Sequence, residues 1–216
     1  MSTVADIRES LHAAVDLYWL PLGAGGHSVR FNGLLFEAVA ARLQHRARRD
    51  LYHSALEVRV GPDRYTIEMA PVWNGPDTDR GVVAEGAVGS RRLSRLRLFR
   101  YEIRRWLGGS IPDVAEARDS PRRLSEDPAT ALRLLAHVPD VPTLVWGRDE
   151  RRTGEMWNSN SVIAWVLAAA GIDAWSIDPP ADGRAPGWTA GLAIARRPLP
   201  GTLRETTDAA PSSARM

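Results

Sequence analysis

The segment Trp157-Asn158-Ser159-Asn160-Ser161 runs directly into an apolar stretch, Val162-Ile163-Ala164-Trp165-Val166-Leu167. Asn and Ser ahead of an apolar run mark the start of a helix. A hydroxyl there would sit where the helix dipole favours an anion and where free backbone N–H groups can hold a developing oxyanion. It would also need a base, because its own pKa is far above neutrality. His53 is the candidate base, with Glu68 to orient the ring and stabilise the imidazolium. Glu57, close by, is an alternative carboxylate. The same residues admit a plainer reading. Asn and Ser are the commonest helix caps, and Glu57 and Glu68 could simply pair with Arg59 and Arg64 on a solvated face.

A hairpin and a later helix carry these side chains. Leu51 to Val60 and Tyr65 to Ala70 flank Gly61-Pro62-Asp63-Arg64, a turn signal. Placing Val60 opposite Tyr65 gathers Leu56, Val58, Val60, Tyr65, Ile67 and Met69 on one face, expected to be the core. His53, Ala55, Glu57 and Arg59 then fall on the other face, with Glu68 across from Glu57. The later helix is expected over Val162 to Ala170, stopped by Gly171.

The order of these segments resembles the circularly permuted papain-like superfamily, the group of permuted NlpC-type peptidases and relatives of lecithin:retinol acyltransferase. The likeness rests on Tyr52-His53-Ser54-Ala55-Leu56-Glu57-Val58 and on Trp157-Asn158-Ser159-Asn160-Ser161-Val162-Ile163-Ala164-Trp165. It spans about Leu51 to Ile172 and is similar also to uncharacterised actinobacterial proteins. In those families a strand histidine comes first, a third polar residue follows on the next strand, and a cysteine opens a later helix. The resemblance places Ser159 at the cysteine position, His53 at the histidine and Glu68 at the third residue. It implies amide or ester hydrolysis or acyl transfer through Ser159, His53 and Glu68, with Glu57, Trp157, Asn158 and Asn160 lining the substrate. Serine cannot rest as an ion pair with imidazole as a cysteine does, which makes a carboxylate partner more valuable. The alternative implied is a domain of the same fold in which the chemistry is lost and a small-molecule or peptide pocket is kept.

The rest of the chain bounds these readings. All 216 residues lack cysteine, which excludes disulfides, thiol nucleophiles and cysteine-ligated metals. The five histidines, His12, His27, His45, His53 and His137, show no metal-ligand spacing, so neither metal nor cofactor is expected. Every one of the 28 basic residues is arginine, against 26 acidic residues, for a formal charge of +2. That balance argues against nucleic acid as a partner. The run Arg91, Arg92, Arg95, Arg97, Arg100, Arg104 and Arg105 reads as the wet face of a strand over Leu96 to Ile103, with a nucleic-acid-associated protein that uses this run as the weaker alternative. No stretch is long and apolar enough for a signal peptide or membrane span, and a cytoplasmic location is expected.

A single α+β domain is expected over residues 1–201, with an antiparallel sheet packed against helices. Residues 1–50 would be a helical region, 51–172 the motif-bearing core, and 202–216 a tail without fixed structure. Within this plan Ser2 to Trp19 reads as an amphipathic helix ended by Pro21 and Gly23-Ala24-Gly25-Gly26, and Leu34 to Gln44 as a second helix. Gly81 to Val88 reads as a strand, Pro128 to His137 as a helix, and Trp188 to Ala195 as a late strand.

Overall fold

A computed structural model describes residues 12–25, 50–72 and 80–196. The expected helix over Leu34 to Gln44, residues 2–11 and the 202–216 tail lie outside the described residues.

The sheet is built on a central antiparallel pair, β1 (Ala13–Gly25) and β2 (Asp50–Val60), with Leu17 opposite Leu56 and Leu20 opposite His53. β2 turns tightly at Gly61-Pro62 into β3 (Asp63–Pro71). Beyond β3 come β5 (Arg100–Leu107) and then β4 (Val82–Ala87). β6 (Arg118–Ser125) closes the opposite edge beside β1, and the two-residue β7 (Gly183–Arg184) pairs in parallel with the start of β2. Three helices are present among the described residues: α1 (Pro128–His137), α2 (Ser159–Ala169) and α3 (Trp188–Ala195). The architecture is α+β, a largely antiparallel sheet with the helices on one face.

Several expectations are corrected. Residues 13–25 form a strand, not a helix with a glycine loop. Val15, Leu17 and Trp19 enter the main core while Asp16, Tyr18 and Leu20 face the other way, a period of two that wins over the i, i+3 matches. Trp188 to Ala195 is a helix rather than a strand. A short apolar run fits either, and here Gly187 precedes a helix that buries Trp188, Ala190, Gly191, Leu192 and Ile194. Leu96 to Phe99 does not join β5; two 3-10 turns, Leu93–Arg95 and Arg97–Phe99, precede the strand. The hairpin register is shorter by two residues than expected. Val60 faces Asp63 and Val58 faces Tyr65, so Glu57 lies across from Thr66 and Glu68 from Arg104 on β5. An even shift preserves which residues share a face.

The main core lies between the sheet and the helices. α2 runs through it, with every residue from Ser159 to Leu167 buried. α1 starts on the Asp127 cap, which accepts from the N–H groups of Ala129 and Thr130, and contributes Ala131, Leu134 and Leu135. Trp188 packs its ring 5.1 Å from that of Trp19 and donates its indole N–H to the Ala174 carbonyl. α3 lies so close to α2 that a Cβ on Gly191 would stand 2.2 Å from the Ser161 carbonyl oxygen. Gly191→Ala is therefore expected to cost about 3 kcal/mol by forcing the two helices apart, read as a lowered urea midpoint with an unchanged m-value.

Candidate functional site

The start of α2 is a knot of hydrogen bonds. Asn158 caps the helix: its side-chain oxygen accepts from the Ser161 N–H at 3.2 Å, and its own N–H donates to Ser161 Oγ at 3.1 Å. That reciprocal pair satisfies two groups the helix end would otherwise leave bare. The Asn158 amide donates to the Pro186 carbonyl at 2.8 Å. Asn160 donates to the same Pro186 oxygen and to the Tyr52 carbonyl on β2, each at 2.9 Å. Its own side-chain oxygen accepts from the Ser54 hydroxyl at 2.9 Å. Ser161 Oγ donates to the Gly187 carbonyl at 2.7 Å. Gly187 takes φ +85°, and a Cβ there would meet Asn158 Oδ1 at 2.5 Å, so only glycine fits against the cap.

Glu155 extends the knot, accepting from the Gly187 N–H at 3.0 Å and the Thr189 hydroxyl at 2.6 Å. The polar side chains around the helix start thus fasten the 183–189 segment and the start of β2 to α2. Ser159 is the exception. It is 8% exposed, and its hydroxyl has no hydrogen-bond partner among the described residues.

The expected catalytic grouping is not brought together. Ser54 reaches α2, so His53, its neighbour on β2, projects from the opposite face of the sheet. That face carries the small cluster of Tyr18, Leu20, Ala55 and Ile111. Burial pushes the His53 pKa down to about 4, and the Asp113 carboxylate opposes this only weakly. Glu68 shares the face of His53 but is engaged elsewhere. It accepts from Arg104 at 2.5 Å, and Arg104 also binds Glu102, which Arg80 joins at 3.2 Å. Burial raises the Glu68 pKa while the Arg104 charge pulls it down. Glu57 pairs with Arg59 and, at 3.6 Å, with Arg64. The plainer ion-pair reading therefore holds for Glu57 but not for Glu68, and both carboxylates are buried rather than solvated.

Trp157, expected as a substrate wall, is 1% exposed and belongs to the core. A different pair of tryptophans does border open space. Trp175 and Trp188, with Ile177, Pro179 and Pro180, line a cleft of about 400 Å³. Its remaining walls include Glu155, Asp178, Asp182, Arg184, Pro186 and Thr189. Sequence reading missed this cleft. The one available signal was the turn-rich run Asp182-Gly183-Arg184-Ala185-Pro186-Gly187, too long for a simple link between elements. No family model, curated protein or solved structure matches this chain.

Two measurements test the structural roles assigned to these residues. Asn160→Ala takes a donor from the Tyr52 carbonyl and the acceptor from the Ser54 hydroxyl in a buried place and is expected to cost about 3 kcal/mol, whereas Ser159→Ala should stay within about 0.5 kcal/mol. Denaturant titration of both variants checks this. His53 gives a pH signature. The unfolded chain takes up its proton near pH 6.5 and the folded one only near 4. Its contribution is thus fully present above pH 6.5 and is lost as pH falls towards 4. His53→Gln is expected to flatten that part of the stability–pH profile, followed by urea unfolding at stepped pH.

Proposed function

We propose that this chain is a non-catalytic binding domain whose ligand, a small molecule or peptide, occupies the cleft beside the start of α2. The observation that carries this reading is the convergence of the Asn158 and Asn160 amides on the single Pro186 carbonyl. The polar motif that looked like reaction machinery spends its hydrogen bonds fixing one wall of the cleft. Glu155 holds the same wall from the other side through Gly187 and Thr189. A wall fixed before the ligand arrives lowers the ordering cost of binding.

The lining favours a particular chemistry. Trp175, Trp188, Ile177, Pro179 and Pro180 offer apolar and aromatic surface, and Glu155, Asp178 and Asp182 outnumber Arg184. An apolar body with a cationic end, such as an arginine or lysine side chain of a peptide, complements that set. On this reading the likeness to permuted papain-like domains describes a scaffold that keeps the Asn-capped helix and the hairpin without a working nucleophile and base. Separation of His53 from Ser159 by the thickness of the sheet supports it, since an unassisted serine hydroxyl is a poor nucleophile near neutrality.

Quenching of tryptophan fluorescence by arginyl and lysyl dipeptides tests the proposal. Saturable quenching is expected in the wild type and in Ser159→Ala. It should weaken about tenfold in Asp178→Asn and in Trp175→Ala, a loss typical of one good contact. Covalent labelling by a fluorophosphonate that vanishes in Ser159→Ala would overturn it in favour of a serine hydrolase or acyltransferase.

A further inference from the structure

The segment between β4 and β5 presents leucine where a soluble surface should be polar. Leu93, Leu96 and Leu98 are 44%, 58% and 79% exposed, within six residues of one another. The segment is well tied. Its turns close through the N–H groups of Leu93, Leu96 and Phe99 onto Ser90, Leu93 and Leu96, and Ser94 Oγ donates to the Arg91 carbonyl at 2.7 Å. Arg91 clamps its base by a two-pronged hydrogen bond to Glu150, at 2.9 and 2.8 Å, and Arg148 donates to the Gly89 carbonyl. The leucines are therefore held outward by an ordered frame.

Arginines alternate with them. Arg92, Arg95 and Arg97 are exposed and form no ion pair among the described residues. The carboxylates close to the loop are spent. Glu150 is held by Arg91 and the Val145 N–H, Asp149 by Thr153 and Gly154, and Glu85 by Arg100. The surface is thus positive at its rim and apolar at its tips.

We propose that the 91–98 loop docks on an anionic membrane surface, with Leu93, Leu96 and Leu98 entering the headgroup–acyl boundary and Arg92, Arg95 and Arg97 meeting lipid phosphates. Charge complementarity and the outward leucines together select this occupant. A nucleic-acid backbone would satisfy the arginines but leave the leucine tips in water, while a bilayer interface takes both. The contact is peripheral, and no helix among the described residues is long and apolar enough to cross a membrane. It is independent of the cleft and of any ligand bound there.

The chain has no cysteine, so a single introduced thiol reports on one place alone. Full-length Leu98→Cys carrying an environment-sensitive fluorophore is mixed with phosphatidylcholine vesicles with and without phosphatidylglycerol. A blue shift is expected on the anionic vesicles only, reversed by salt, and absent when the fluorophore sits at Leu132→Cys on α1. In vesicle sedimentation each of Arg92→Gln, Arg95→Gln and Arg97→Gln should weaken partitioning about fivefold. The pair Leu96→Ser and Leu98→Ser should weaken it more than tenfold with the arginines intact. No shift at position 98, or equal binding to neutral vesicles, overturns the proposal. So does tight binding to duplex DNA that the leucine pair leaves unchanged, or capture by an acidic protein in preference to vesicles.

Discussion

The carboxamide of Asn160 is the constraint on which the arrangement around α2 depends. It is buried, and both its polar atoms are spent across elements: the oxygen accepts from Ser54 on β2, and the nitrogen donates to the Tyr52 carbonyl on β2 and to the Pro186 carbonyl. A buried amide left half-satisfied costs more than one never made, so the sheet, the helix and the 183–189 segment must arrive together. The glycines follow from this. Once Pro186 is drawn onto Asn158 and Asn160, the next residue lies against the cap with φ +85°, and one turn later α3 presses on the Ser161 backbone. Gly187 and Gly191 are consequences of that approach rather than independent choices.

The opposite face of the sheet solves a different problem. Asp16, Glu57, Glu68, Glu102 and Arg104 are all buried there, which is costly unless each charge has a partner. Arg123 grips Asp16 with two nitrogens, at 2.6 and 3.3 Å, and Arg104 bridges Glu68 and Glu102. Arginine suits this work because its planar fork serves two oxygens or two carboxylates at once. His53 sits on the same side, where desolvation lowers its pKa to about 4 against the opposing charge of Asp113. The side of β2 on which the half-buried histidine projects thus sets its surroundings.

What could be read from the sequence follows the strength of each local signal. The β2–β3 hairpin, α1 and α2 were legible because a Gly-Pro turn, an Asp-Pro cap and an Asn cap with a Gly stop name their own boundaries. The face assignment survived a two-residue register error, since strand side chains repeat every two. β1 was misread because Val4, Ile7, Leu11, Ala14 and Leu17 happen to match helical spacing as well. α3 was misread because eight residues with one polar member, Thr189, carry no clear period. β6, Arg-Asp-Ser-Pro-Arg-Arg-Leu-Ser, was not seen at all: an edge strand tolerates proline and polar residues, so nothing in its composition says strand. The cleft was invisible for a deeper reason, because its walls come from residues 155 and 175–192, which hydrogen bonds from Glu155, Asn158, Asn160 and Ser161 bring together.

The absence of cysteine first framed the site as a choice between thiol and hydroxyl. Geometry moves the question to the base. The positions of β2 that face the start of α2 are Tyr52 and Ser54, and Ser54 already gives its proton to Asn160. Neither hydroxyl on that side of β2 can accept a proton near neutrality. The histidine one residue away is no help, because the strand's alternation sends it through the sheet to the far side. The strand's alternation thus parts residue 53 from residue 159 whichever atom residue 159 carries.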